Sequence, residues 1–167
     1  EFVVGVQVNF NFFYSPISKR LELLGTDTRR QTNLDGILRL PGNLQSTLLE
    51  NNLVEIKYEE ASHTAVTVLE SLLEQVFAMG ERFVKASKQF ANPGVIGPFA
   101  LQSMIVAGPP KQDIVVFDVS PGFPGPHGIT ATPYSGYLFG KSVNVGRRIA
   151  MEIKDAIRDN RLEEIIS

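Results

Sequence analysis

Residues 2–13 alternate with a period of two. Phe2, Val4, Val6, Val8, Phe10 and Phe12 fall on one side, and Gly5, Gln7, Asn9 and Asn11 on the other. Successive strand side chains point to opposite faces, so the segment reads as a long strand with one face on an apolar core. A parallel sheet is covered on both faces and its strands read as continuous apolar runs; clean alternation points instead to an antiparallel sheet. The second face carries amides in place of charges, which suits a surface that meets a ligand or another lobe; an ordinary solvated face fits as well. Tyr14-Ser15-Pro16 breaks the strand, and Arg20–Leu24 is expected to pair back on it.

The remaining elements follow from spacing. Gly25 to Pro41 reads as an irregular segment rich in Asn, Asp, Gly and Thr, and residues 42–62 show little pattern beyond the acidic run Glu55-Ile56-Lys57-Tyr58-Glu59-Glu60. Thr67 with Glu70 forms a candidate capping box. Leu69, Leu72, Leu73, Val76, Phe77, Gly80, Phe83 and Val84 then recur at helical spacing until Asn92-Pro93-Gly94 ends the run. Val95–Val106 and Asp113–Ser120 read as a hairpin. Residues 121–136, rich in Pro and Gly, make a loop too long for a simple connector. A second amphipathic helix is expected from about Val143 to Ile157. The order gives an α+β fold: an antiparallel sheet with two amphipathic helices.

Composition removes whole classes of chemistry. The chain has no cysteine, which excludes thiol nucleophiles, cysteine-bound zinc, iron–sulfur clusters and disulfides. Its histidines are His63 and His127 alone, which nearly excludes a multi-histidine metal site. With 16 Lys and Arg against 18 Asp and Glu, the net charge is −2, so no basic face recommends a nucleic-acid partner. No run approaches the length of a membrane span and no leader is evident, so a cytoplasmic protein is expected. The 167 residues suit one domain or two small lobes. The sequence opens at Glu1, directly into Phe2-Val3-Val4, as a piece of a longer chain would.

The second hairpin strand carries the most chemistry. Ile114, Val116, Asp118 and Ser120 share one face by alternation, and a carboxylate in an apolar row is costly unless paired, protonated or metal-bound. On the neighbouring strand Gln102 lies opposite Asp118 if the connecting loop has five or seven residues, and Leu101 does if it has six, unless a bulge intervenes. Two oxygen ligands from adjacent strands suit Mg²⁺ bridging nucleotide phosphates; a strand-end aspartate bonded to the next loop is the plain alternative. Neither Gly-x-x-x-x-Gly-Lys-Ser/Thr nor Gly-x-Gly-x-x-Gly occurs. His127, in Pro124-Gly125-Pro126-His127-Gly128, has no identifiable triad partner. Arg147-Arg148 suits either a phosphate grip or a salt-bridged surface pair.

Several segments, in order, together resemble one family. They are Glu1-Phe2-Val3-Val4-Gly5, Phe13-Tyr14-Ser15, Leu21-Glu22-Leu23-Leu24-Gly25, Asn33-Leu34-Asp35-Gly36, Glu70-Ser71-Leu72-Leu73, the stretch from Pro93 to Gln102, Pro133-Tyr134-Ser135 and Gly146-Arg147-Arg148-Ile149-Ala150. The set is similar to the C-terminal part of the archaeal formate-dependent 5-formaminoimidazole-4-carboxamide ribonucleotide synthetases, ATP-grasp ligases of purine (IMP) biosynthesis. The resemblance implies that residues 1–167 form the C-terminal ATP-grasp lobe, with a preATP-grasp domain and a first grasp lobe preceding this sequence. It implies ATP and Mg²⁺, formate and aminoimidazole carboxamide ribonucleotide as substrates, formyl phosphate as the intermediate, and a symmetric homo-oligomer.

Carried over by position, Glu1, Phe2 and Val3 match the adenine-hinge segment, and Gln102 and Asp118 match the Mg²⁺ ligands. Gln31 stands where a nucleotide-contacting glutamate is expected, and His63 where an asparagine contacts the ribonucleotide. Asp118 replaces the family's usual glutamate, and Ser120-Pro121-Gly122 replaces Ser-Ala-Arg, which removes a basic residue. Two other readings therefore stand beside the synthetase: a non-catalytic nucleotide-binding paralogue, and an ATP-dependent carboxylate–amine ligase with another acceptor.

Overall fold

The computed structural model describes residues 3–108, 111–122 and 130–166, and of residues 60 and 61 the backbone alone. Its strands are β1 (Val6–Ser15), β2 (Arg20–Thr32), β3 (Tyr58–Ala65), β4 (Gly97–Val106) and β5 (Asp113–Pro121). They form one sheet in the order β3-β2-β1-β4-β5, with β1 antiparallel to β2 and β4, and β4 antiparallel to β5. The helices are α1 (Leu34–Ile37), α2 (Gly42–Glu50), α3 (Glu70–Phe90), α4 (Tyr134–Phe139) and α5 (Val145–Arg158), with a 3-10 turn over Leu162–Ile165. The α+β class is as expected, and α3 and α5 are the two amphipathic helices. No described helix is long and apolar enough to cross a membrane.

The chain divides into two compact units, residues 1–28 with 64–167, and residues 29–63. In the first, α3 covers one face of the sheet. Val8, Phe10 and Phe12 of β1 and Phe99 and Leu101 of β4 pack with Leu72, Val76, Met79 and Val84 of α3. Phe12 stacks on Phe99 at 5.3 Å between centroids and meets Phe77 edge-on at 6.3 Å. Such pairs add about 0.5–1.5 kcal/mol each beyond area burial. Gly80 brings the helix close: a Cβ there would stand 2.6 Å from Leu21 and 3.1 Å from the Phe12 ring. The packing begins only at Val8, since Val4 and Val6 are 75% and 66% exposed. Val6 instead borders an open cavity of about 360 Å³ with Val66, Leu69, Leu72 and Ile105, past the start of the helical layer.

Three local expectations change. The helix begins at Glu70 behind Leu69, with no side-chain cap, so Thr67 lies too far upstream to close a capping box. Strand β2 runs on through Thr32, although its sequence from Gly25 is turn-like. Its inward positions there are polar but satisfied: Thr26 Oγ1 donates to the Val66 carbonyl, and Asp27 accepts from Asn9 and Asn11. Residues 42–62 contain α2 and the start of β3. The helix α2, Gly42 to Glu50, opens on the weak helix formers Gly42 and Asn43 and carries Ser46 and Thr47 at its centre, and none of its residues is buried, so no apolar face on a core marks it. Within the unit 29–63, Asn33 ties the chain together, accepting from Lys57 N at 2.9 Å and donating to the Glu55 carbonyl at 2.8 Å.

On the opposite face lies α5, capped by Asn144, whose Oδ1 accepts from Arg147 N at 2.7 Å. Val145 and Ile149 pack on Phe13 and Leu24. Arg148 is neither a phosphate grip nor a surface residue: it is 4% exposed, and its Nε donates to Glu22 Oε2 at 2.6 Å while Nη1 donates to Glu152 Oε2 at 2.8 Å. Its guanidinium lies 4.2 Å from the Phe13 ring centroid. Burial alone would lower the Arg148 pKa; the hydrogen bonds and charges of Glu22 and Glu152 outweigh it and raise the pKa. Glu152 Oε1 in turn accepts from Ser15 Oγ at 2.6 Å.

Removing the cation leaves two buried carboxylates uncompensated, which typically costs about 3–5 kcal/mol. Arg148→Met should lose about that much in urea denaturation. The triple change Glu22→Leu, Arg148→Met, Glu152→Leu should recover most of it. A single substitution costing less than about 1 kcal/mol would show that the triad does not hold α5 in place.

Candidate functional site

The face of the sheet that carries α5 also carries a row of polar residues, one from each of four strands. Asp27 on β2 pairs in register with Asn9 on β1, Asn9 pairs with Gln102 on β4, and Gln102 pairs with Asp118 on β5. Asn9 Nδ2 donates to Asp27 Oδ1 and Asn11 Nδ2 to Asp27 Oδ2, both at 2.7 Å. At the other end Gln102 Nε2 donates to Asp118 Oδ2 at 2.7 Å and to Ser120 Oγ at 2.9 Å. Asn9, Asn11, Asp27 and Gln102 are buried, and the row opens to solvent at Asp118.

A bulge puts Asp118 in this row. Gln102 faces Asp118 while Ser103 faces Val116, so Phe117 is an extra residue with no partner. One extra residue reverses the inside–outside alternation of everything beyond it. Asp118 and Ser120 therefore do not share a face with Ile114 and Val116, as strict alternation had predicted. Ile114 and Val119 pack into the α3-side core, and Asp118 turns to the polar side. The expense of a carboxylate in an apolar row does not arise.

The donor set fits a hard divalent cation. Gln102 Nε2 donates to both Asp118 and Ser120, and no described residue donates a hydrogen bond to Gln102 Oε1. Asn9 Oδ1 is buried and has no hydrogen-bond partner among the described residues. A buried carbonyl oxygen without a donor, in register with a second amide and, one strand further, a carboxylate, is the kind of acceptor that Mg²⁺ or Ca²⁺ coordinates. Among the described residues no group of three or more His, Asp or Glu could hold a metal. Any cation here would rest on one exposed carboxylate and neutral oxygens.

The other sequence-designated residues are spread more widely. Val3 is half-buried just ahead of β1, while Glu1, Phe2 and His127 lie outside the described residues. Gln31 on β2 and His63 on β3 belong to the unit 29–63, on neighbouring strands, both half-buried. Asp27 was not singled out by sequence reasoning, although the amides of Asn9 and Asn11 were noted; two amides on one strand face are the signal that an acceptor stands opposite.

The bulge is testable by stability. Deleting Phe117 closes the bulge and leaves Asp118 opposite Gln102 and Val119 facing the core, so it should cost under about 1 kcal/mol. Phe117→Ala keeps the extra residue and removes a side chain that is 52% exposed; it should cost under about 1 kcal/mol. Denaturant midpoints compare the two, and a deletion loss above about 2 kcal/mol would show that Asp118 does not keep its face without the extra residue.

A family model described as a domain of unknown function, DUF1297, matches residues 1–167. The 5-formaminoimidazole-4-carboxamide-1-(beta)-D-ribofuranosyl 5'-monophosphate synthetase of Metallosphaera sedula is 36% identical over 167 residues, covering 99% of this chain and 47% of that protein. The synthetase of the same name from Methanocaldococcus jannaschii is 38% identical, over 100% of this chain and 45% of its own length. The crystal structure of an IMP biosynthesis protein PurP from Thermococcus kodakaraensis superposes with a TM-score of 0.76 at 33% identity, covering 100% of this chain and 51% of that one. The chain thus spans about half the length of the relatives it matches, and the match fits their C-terminal part.

Proposed function

The chain belongs to the DUF1297 family, and from that membership we propose that it is the C-terminal ATP-grasp lobe of a purine-biosynthesis ligase, which uses ATP to join formate to the amine of aminoimidazole carboxamide ribonucleotide. The observation that carries the reading is the register pair Gln102–Asp118 at the open end of the polar row. In this reading formate is phosphorylated to formyl phosphate with release of ADP; the amine attacks the formyl carbon, and phosphate leaves as the amide forms.

Mg²⁺, when bound, neutralises phosphate charge and orients the phosphate oxygens for transfer. Asp118 and Gln102 would hold it, and Ser120 Oγ fixes the Gln102 amide so that an oxygen remains for the cation. Glu1, Phe2 and Val3 would line the adenine, Gln31 would contact the nucleotide and His63 the ribonucleotide. The contribution of these residues is positioning and charge stabilisation, with no covalent enzyme intermediate. Assembly into a symmetric homo-oligomer belongs to the same proposal. The replacement of a basic residue by Pro121-Gly122, together with His63, favours as a second reading a related carboxylate–amine ligase with another acceptor.

Full-length protein should release ADP from ATP and Mg²⁺ only when formate and aminoimidazole carboxamide ribonucleotide are both present. ADP release that requires a different amine overturns the synthetase reading in favour of the second, and ADP release that needs neither acid nor amine overturns both. Asp118→Ala should abolish the Mg²⁺ dependence of ATP binding, measured by calorimetry, with the thermal midpoint of the free protein unchanged. Unchanged ATP affinity in Mg²⁺ would remove Asp118 from the site.

A further inference from the structure

The polar row continues inward beyond Gln102, and its inner half has no part in the ligand pair so far assigned. Asp27 is 1% exposed, and its two carboxylate oxygens accept from Asn9 and Asn11 at 2.7 Å each. A carboxylate only accepts, so it must draw the NH₂ end of each amide and cannot draw the oxygen end. This sets the orientation of the Asn9 carboxamide. Its oxygen is then the end left over, and that oxygen is buried without a donor among the described residues. Leaving such a group unsatisfied is costly, so its fixed orientation calls for a reason beyond the fold itself.

The register supplies one. Asn9 is the direct cross-strand partner of Gln102, whose own amide is oriented the same way, NH₂ on a carboxylate and oxygen left over. Two carboxylates, Asp27 and Asp118, stand at the two ends of the row and each captures an amide NH₂. The two carboxamide oxygens, from neighbouring positions of β1 and β4, are what the row leaves for a ligand. We propose that Asn9 is a third oxygen ligand of the divalent cation held by Gln102 and Asp118, and that Asp27 is the positioning residue that presents the Asn9 oxygen to it. The inference rests on the cation reading of the Gln102–Asp118 pair. Asp27 acts through a neighbour, as the outer carboxylates of metal sites orient first ligands, where substitution typically costs 10- to 100-fold in metal affinity.

Mn²⁺ serves as the probe, since its free-ion paramagnetic resonance signal reports binding directly. In full-length protein with ADP present, Asp27→Asn and Asn9→Leu should each weaken Mn²⁺ binding about 10-fold or more. The rise in thermal midpoint on adding Mn²⁺ should shrink to match. A residue that merely supports the fold would lower the midpoint without Mn²⁺ and leave the Mn²⁺-induced rise intact. If Asp118→Ala loses Mn²⁺ binding while Asp27→Asn and Asn9→Leu stay within twofold of the parent, the inference is overturned and the Gln102–Asp118 reading stands. If Asp118→Ala itself binds Mn²⁺ as the parent does, the cation reading fails and this inference with it.

Discussion

The buried ion triad of Glu22, Arg148 and Glu152 is the constraint on which the second face of the sheet depends. It joins the first turns of α5 to the start of β2 across a low-dielectric contact, with Phe13 beneath the guanidinium. A buried ion pair is a poor source of stability compared with apolar packing of the same volume. Its geometry is directional, however. Arg148 meets Glu22 through two nitrogens, and Glu152 Oε1 reaches Ser15 Oγ, so helix and sheet have one satisfied register. A purely apolar α5 would slide on this face. The triad holds the helix over Phe13 and Leu24.

Bulges let one sheet serve two kinds of face. On β2 the register shifts between Asn11 and Phe12, and Leu24 is the additional residue, turned toward α5. On β5 the additional residue is Phe117. Without these shifts, alternation continued from Leu23 on β2 and from Val116 on β5 would place Asp27 and Asp118 on the α3 side, among core side chains. Both interruptions sit beside the segments they re-aim, as bulges next to functional residues commonly do.

The parts legible in the sequence are those where a single period runs uninterrupted. The alternation of β1 and the three-four spacing of α3 and α5 each report a face packed continuously on a core. Apart from α2, which buries no residue, the parts that were not legible share one cause: polar residues that behave as buried ones because a specific partner satisfies them. Thr26 and Asp27 look like turn residues until Val66, Asn9 and Asn11 are known to stand opposite. Arg148 looks like a surface residue until Glu22, far away in sequence, is known to meet it. Pairing of Gln102 with Asp118 was readable as one of two registers, and only the unpaired Phe117 decides between them. Partner identity is a long-range fact that no local window contains.

The electrostatics of the polar row have a consequence for how it would work. A cation resting on Asp118, Gln102 and Asn9 would have a single formal negative charge among its ligands, because the second carboxylate, Asp27, faces the amides of Asn9 and Asn11. Neutral carbonyl oxygens complete a coordination sphere without offsetting the cost of dehydrating a small divalent ion, which is why Mg²⁺ sites of this type draw on substrate phosphates. Cation and phosphate binding at such a row are then coupled: each supplies the charge that the other lacks. By thermodynamic reciprocity the cation would raise nucleotide affinity by the same factor that the nucleotide raises cation affinity. A carboxylate in place of Asn9 would loosen that coupling by making the cation independent of the phosphate. The neutral amide, held in orientation by a carboxylate one strand away, would keep the two interdependent.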